Sequence, residues 1–335
     1  MTARRPLSPS LDTRFTTAAA IDHGTGRHRL RAADLDAPFY GVRALVDRAV
    51  EADPEADPYA LQAAQRRDRV RDLAPRLLPD QFVSHESAAA MHRAPLPLEF
   101  QNDQVADLAH APVHVSAVGA GPIPRGEGVH GHRDRKGLAD VVEIDGIAVT
   151  SPASTWASLG HLPLADLVAV GDHFCRVWRE GRGRPDVGRA PIATVGDLRR
   201  AITAGRRVGI VRLREAVELV REDAWSPRES AVRVVLWQWG LPEPALNVDI
   251  FHVGRFLGCV DLAYPDLKIA IEYQSVLHTE RYAKDVERFD ALRAAGWIVI
   301  EVTAELLQHP KQLAYRVRRA IEARRPGRSL FRSRS

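Results

Sequence analysis

Two carboxylates, Asp261 and Glu272, carry the clearest chemistry in this sequence. Asp261 lies at the end of FLGCVDL and Glu272 late in LKIAIEYQ, with the turn Tyr264-Pro265-Asp266 between them. Read as neighbouring paired strands about 4.8 Å apart, these segments let the acid-bearing ends approach each other. Gln274 stands two residues beyond Glu272 and shares its face of the strand. Asp, then Glu followed by a polar residue, at the meeting ends of two strands makes an oxygen-rich site for a hard divalent cation. An acid inside an apolar strand such as KIAIEY is costly to bury unless something pairs with it, and a cation would do so. The competing role for Asp261 is to begin the turn through Pro265, a common position for aspartate.

The elements that must hold these residues are legible from Ser226 onward. SPRESAVRVVLWQWG reads as a helix ended by Gly240. NVDIFHV, FLGCVDL and LKIAIEYQ read as three strands separated by Gly254-Arg255 and by Tyr264-Pro265-Asp266. TERYAKDVERFDALRAAG is a helix ended by Gly296, WIVIEVT a fourth strand, and a long helix runs to about Arg324. The order is α-β-β-β-α-β-α. Three strands arrive as hairpins and the fourth crosses over through a helix, so the sheet is expected to be mixed.

The rest of the chain reads as α+β with weaker signals. A short helix from Thr17 stops at Gly24, Thr25 caps a second helix carrying Arg27 and Arg29, and PFYGVRAL alternates as a strand. That is a winged-helix-like segment over 1–58 whose second helix would enter a DNA groove; the alternative is a small helical cap. An α+β region with a helical connector follows over 59–222, with Ser84 as N-cap of HESAAAMHR and strands at VHVSAV, GVHGHR and VVEIDGIAVTS. His110, His114, His130 and His132 read as ordinary strand or loop histidines, because no carboxylate or cysteine completes a ligand set at sequence range. Residues 223–324 form the C-terminal domain and 325–335 a basic tail.

Composition bounds the function classes. The chain has 335 residues, 45% hydrophobic and 27% charged, which excludes wholesale disorder. Two cysteines, Cys175 and Cys259, exclude a disulfide scaffold and a cysteine-based zinc knuckle. No apolar run reaches membrane-spanning length and no secretory signal is visible, so a cytoplasmic setting without a membrane is expected. The net charge is +4, but only four of the 47 basic residues are lysines. Such a skew fits a GC-rich coding bias, so where the arginines sit matters more than their sum. From Arg316 to the end the tail holds eight arginines against Glu322, a set able to grip phosphates.

On VDLAYPDLKIAIEYQSVLH, DVERFDALRAAGWIVIEVTAELL and SPRES upstream, the C-terminal hundred residues resemble the Vsr-like (very-short-patch-repair-like) endonuclease domain of the PD-(D/E)xK superfamily. On FTTAAAI, FVSHESAAAMHRAPLP and VTSPASTW, the first half more softly resembles AbiEi-type antitoxin regulators. The resemblance implies a restriction-endonuclease-like core, DNA as partner, and Mg²⁺ (or Mn²⁺) held by Asp261 and Glu272, with Glu229 completing the site. It puts Gln274 where the superfamily usually has lysine; glutamine takes no proton from water but can still position one. It gives His278 a part in assisting the water or leaving group. Arg288 matches a D-x-x-R pattern with Asp285, and Arg288, Arg316, Arg318 and Arg319 would face DNA with Arg27 and Arg29. Each role has a structural rival. Ser226-Pro-Arg-Glu229 is also a capping box, His278 also precedes a helix, and Asp285 and Arg288 also form an i,i+3 pair. The implied function is Mg²⁺-dependent DNA cleavage in repair, defence or a toxin–antitoxin-like setting, with a protein partner or homodimer allowed. The alternatives are a catalytically degenerate DNA-binding regulator and an interaction scaffold.

Overall fold

The computed structural model describes residues 6–46, 57–119, 122–182, 184, 186–274 and 279–325, with backbone alone over 279–284. His278, most of the acidic stretch at 51–58 and nearly all of the tail after Arg324 lie outside the described residues. In chain order the elements are β1 (Arg14–Thr16), α1 (Thr17–Asp22), β2 (Leu35–Asp36), β3 (Val42–Leu45), α2 (Pro58–Leu73), β4 (Gln81–Val83), α3 (His85–Met91), β5 (Phe100–Gln101), β6 (Gln104–Val105), β7 (Val113–Val118), β8 (Val129–Asp134), β9 (Val141–Ile144) and β10 (Ile147–Thr150). There follow α4 (Pro152–Ser158), α5 (Leu164–Cys175), α6 (Val195–Thr203), α7 (Ile210–Leu219), α8 (Pro227–Gln238), β11 (Ala245–His252), β12 (Arg255–Tyr264), β13 (Ile269–Tyr273), α9 (Thr279–Ala294), β14 (Ile298–Val302), α10 (Ala304–Leu307) and α11 (Pro310–Arg324). The chain is α+β with mixed sheets. No helix among the described residues is long and apolar enough to cross a membrane.

Contacts divide the chain into two compact units, Met1–His161 with Gly196–Leu213, and Leu162–Val195 with Arg214–Ser335. In the first unit the N-terminal segment is an antiparallel sheet in the order β1-β3-β2 with one six-residue helix, α1, capped by Thr16 Oγ1 accepting from Ala19 N at 3.1 Å. The second helix expected through Arg27 and Arg29 is a single 3-10 turn, Arg29–Arg31. Leu30 is the one residue it buries, so it lacks the apolar stripe that holds a longer helix in place. A five-stranded mixed sheet follows in the order β8-β7-β4-β10-β9. Its core gathers Val83, Val113, Val115, Ile147 and Val149 under Val70 and Leu73 of α2 and Met91 of α3. VVEIDGIAVTS is a hairpin rather than one strand. Asp145 and Gly146 take φ of 52° and 76°, the left-handed pair a two-residue type I′ turn requires.

In the second unit β11-β12-β13-β14 form a four-stranded sheet, antiparallel until β14 joins β13 in parallel after α9. Helices cover both faces. Val232 and Leu236 of α8 and Leu313, Val317 and Ile321 of α11 pack on Leu262, Ile269 and Ile271, while Phe289 and Leu292 of α9 pack on Val260, Ala263 and Ala270. Each covering helix is bound through one apolar stripe. The expected boundary near residue 222 is not where the contacts divide, because α5 belongs to this unit. Its Asp172 is buried and accepts from Arg233 Nη2 on α8 at 2.7 Å, Ser230 Oγ at 2.6 Å and Arg221 N at 2.7 Å.

Breaking that buried pair leaves an uncompensated charge, so Arg233→Ala is expected to lower the urea-unfolding free energy by about 3–5 kcal/mol. A loss below about 1 kcal/mol would mean that the pair does not fasten α5 to α8.

Candidate functional site

The β12–β13 register pairs Leu262 with Ile271 and Ala263 with Ala270. Asp261 and Glu272 are the next residue of each strand beyond the Leu262–Ile271 pair, and the alternation of β12 and β13 puts them on the face of Ala263 and Ala270. Directly opposed residues of an antiparallel pair project from the same face, and here it is the face that α9 covers. Tyr273 N donates to Asp261 Oδ2 at 2.8 Å, closing the strand ends around the acids. β13 stays tied to β14 beyond Glu272 through Gln274 N, which donates to Val302 O at 2.8 Å; the Gln274 side chain is half-buried.

Arg288, on α9, reaches across this face. Its guanidinium donates to both oxygens of Glu272, at 2.7 and 3.3 Å, and also to Cys259 O at 3.0 Å and Asp285 Oδ1 at 3.2 Å. Gly258 makes room for it: a Cβ there would lie 2.8 Å from Arg288 Cδ. The i,i+3 pair expected with Asp285 is present, but it is the outer half of a clamp on Glu272. Arg288 is therefore engaged inside the protein rather than projecting towards a nucleic acid.

Glu229 is both cap and acid-site neighbour. Ser226 Oγ accepts from Glu229 N at 3.2 Å, the capping arrangement read from SPRE. The Glu229 carboxylate is buried, and its Oε2 accepts from Trp225 N and Asn247 Nδ2, each at 2.9 Å. Burial first, and then the charge of Asp261, push Glu229 up to about 7. Burial and then Asp261 push Glu272 up to about 8 against the pull of Arg288. Burial also raises Asp261, while the Tyr273 N–H lowers it. The acids thus sense one another and titrate as a set, and deprotonating them together calls for more positive charge than Arg288 supplies.

The remaining expected residues are dispersed. Arg29 forks onto both oxygens of Asp34, at 3.0 and 2.8 Å, and Arg27 is exposed. Arg316 and Arg319 are exposed on α11 and Arg318 donates to Trp239 O at 3.0 Å. α11 covers the sheet face opposite to α9, so these arginines do not ring the acids. Two residues were missed from sequence. Asn247 holds Glu229 from β11 with a left-handed φ of 48°, and its carbonyl accepts from Arg179 and Arg184. Arg228 lies 5.6 Å from the centre of the Tyr273 ring. Asparagine in an otherwise strand-like NVDIF was the one sequence signal for the first, since asparagine is depleted in strands.

No family model matches the chain, and no solved structure matches it. Two proteins of Mycobacterium tuberculosis are similar to it: uncharacterized protein MT2308 of strain CDC 1551 / Oshkosh and uncharacterized protein Rv2248 of strain ATCC 25618 / H37Rv. Each is 33% identical over 125 residues, 36% of this chain and 46% of the relative. The chain thus matches about half the length of these relatives, and their names assign no activity.

The raised carboxyls fix a direction for pH dependence. Both groups exceed their unfolded value of 4.5, so their contribution to stability is full below about pH 4.5 and is lost as pH rises through about 7 and 8. Chelator-treated protein is expected to show a urea midpoint that falls between about pH 4.5 and 8 and levels off above that, and Glu272→Gln to flatten that slope. An unchanged slope in the variant would remove Glu272 from the titrating set.

Proposed function

We propose that the C-terminal unit is a Mg²⁺-dependent DNA endonuclease of the Vsr-like type, hydrolysing phosphodiester bonds. The observation that carries this reading is the convergence of Asp261 and Glu272 at the adjacent ends of β12 and β13, on one face of a mixed sheet, with Glu229 close enough to be raised by Asp261. The donor set fits a hard cation: three carboxylates and no soft ligand among them. When bound there, Mg²⁺ supplies charge to a phosphate and lowers the pKa of a coordinated water. Asp261 and Glu272 would hold the cation, and Glu229, oriented by Trp225 N and Asn247, would complete the set. Gln274 orients the attacking water through its carbonyl but accepts no proton from it. His278 is the candidate for that proton or for the leaving group. Arg316 and Arg319, exposed on α11 away from the acids, would add only sequence-independent attraction to backbone phosphates outside the cleavage site. A cytoplasmic setting belongs to this reading, as does DNA as the partner.

A second reading, a DNA-binding regulator with a degenerate site, draws on two observations. Arg288 clasps both oxygens of Glu272, putting a guanidinium where a cation would bind, and Gln274 replaces the usual lysine.

Incubation of the full chain with plasmid and linear DNA, with Mg²⁺, Mn²⁺ or chelator, separates the two. The nuclease reading expects metal-dependent cutting that Asp261→Ala and Glu272→Ala each reduce by more than about 100-fold, as loss of a metal ligand does. Cutting that survives both substitutions would show the site to be wrong. Duplex binding without any cutting would favour the regulator.

A further inference from the structure

The histidines of the first unit, which at sequence range lack a ligand set, are gathered by the fold. β7 and β8 run in parallel with His114 beside His130 and Ser116 beside His132. α3 brings His85 and Glu86 from a distant part of the chain to the same place. His114 Nδ1 and His132 Nε2 lie 2.9 Å apart. The His85 ring stacks on that of His132 with centroids 3.8 Å apart. One ligand nitrogen from each of His85, His114 and His132 lies within 4.8 Å of the others.

We propose that His85, His114 and His132 form a transition-metal site, with Zn²⁺ as its cation, independent of the acid site in the other unit. Three imidazoles are a borderline-soft nitrogen set that suits Zn²⁺ and its neighbours and is poorly matched to Mg²⁺.

The surroundings are those of ligands held in place from behind. Ser84 is the residue expected to cap α3, yet its side chain makes no capping bond. Its Oγ accepts from Ser116 Oγ at 2.9 Å and lies 2.9 Å from His85 Nδ1. A proton on His85 Nδ1 facing Ser84 leaves the Nε2 lone pair for a metal. On the far side of His114, Nε2 faces Glu86 Oε2 at 3.6 Å, the order carboxylate, imidazole, metal that strengthens a histidine ligand. Glu86 Oε2 is buried with no hydrogen bond, while Oε1 lies 2.7 Å from His161 Nε2. His85 keeps a left-handed φ of 52°, a conformation that costs a non-glycine residue about 1–3 kcal/mol. Burial first, then neighbouring imidazoles, hold His85 down to about 3 and His132 to about 4. Three protein ligands leave a coordination position for solvent, as in zinc sites that do chemistry rather than closed structural ones.

The test is Zn²⁺ binding by the full chain, expressed without a polyhistidine tag, stripped with chelator and titrated calorimetrically. One equivalent is expected to bind. His114→Ala and His132→Ala each weaken binding by more than about 100-fold and Glu86→Gln by about 10–100-fold. His110→Ala, an exposed histidine outside the cluster, leaves binding unchanged, and so does Asp261→Ala combined with Glu272→Ala. Circular dichroism checks the fold of each variant. Should a histidine variant not fold, X-ray absorption of the zinc-loaded wild type decides, with nitrogen ligands at about 2.0–2.1 Å expected. No zinc uptake, uptake indifferent to both histidine substitutions, or a shell of oxygen alone would each overturn the site and leave a metal-free imidazole network.

Discussion

Like charges forced together across a β-ladder are the constraint around which the C-terminal unit is arranged. Asp261 and Glu272 come together at the adjacent ends of β12 and β13, and burial denies them the water that would soften their repulsion. Such a pair persists only if the fold supplies positive charge or retains protons. It does both: Arg288 reaches over from α9 to bind Glu272 in a bidentate grip, and the carboxyls hold protons to unusually high pH. Even the lack of a side chain at Gly258 serves this arrangement, because a Cβ there would push into the arginine stem.

This balance is why the site admits two functional readings. On the nuclease reading proposed above, a divalent cation would meet the demand for positive charge from outside and the acids would be its ligands. Without one, Arg288 meets part of that demand and the same residues form a closed structural network. The distinction is one of competition between a guanidinium and a metal ion for the oxygens of Glu272. It decides whether the α-β-β-β-α-β frame carries catalysis or only binding.

Much of the C-terminal frame was legible because its punctuation is local. Gly240, Gly254, Pro265 and Gly296 end or turn elements where the chain must change direction, and the apolar runs between them correspond to α8, β11 to β14 and α9 within a few residues. The acids were legible for the same reason, since their approach follows from strand pairing alone. What was not legible depends on long-range contact. The attachment of α5 to α8 rests on Asp172 and Arg233, and Glu229 is oriented by Asn247, with no periodic signature for either. The histidine cluster has no sequence signature because its remaining members, His85 and Glu86, lie on a helix distant in sequence. The Asp145-Gly146 turn was visible in the sequence as a hairpin signal and was passed over within an apparently continuous apolar run. The 3-10 turn at Arg29–Arg31 shows the converse, a capping signal with too little apolar surface behind it to extend a helix.

The most direct test of the central claim is whether the acid set takes up a divalent cation at all. Mn²⁺ titration of the full chain, followed by electron paramagnetic resonance at about pH 8, measures this without requiring a DNA substrate. The account predicts Mn²⁺ uptake that Mg²⁺ displaces and that Asp261→Asn abolishes. Uptake that is absent, or unchanged in Asp261→Asn, would contradict it and leave a structural acid cluster with Arg288 as the counter-charge of Glu272.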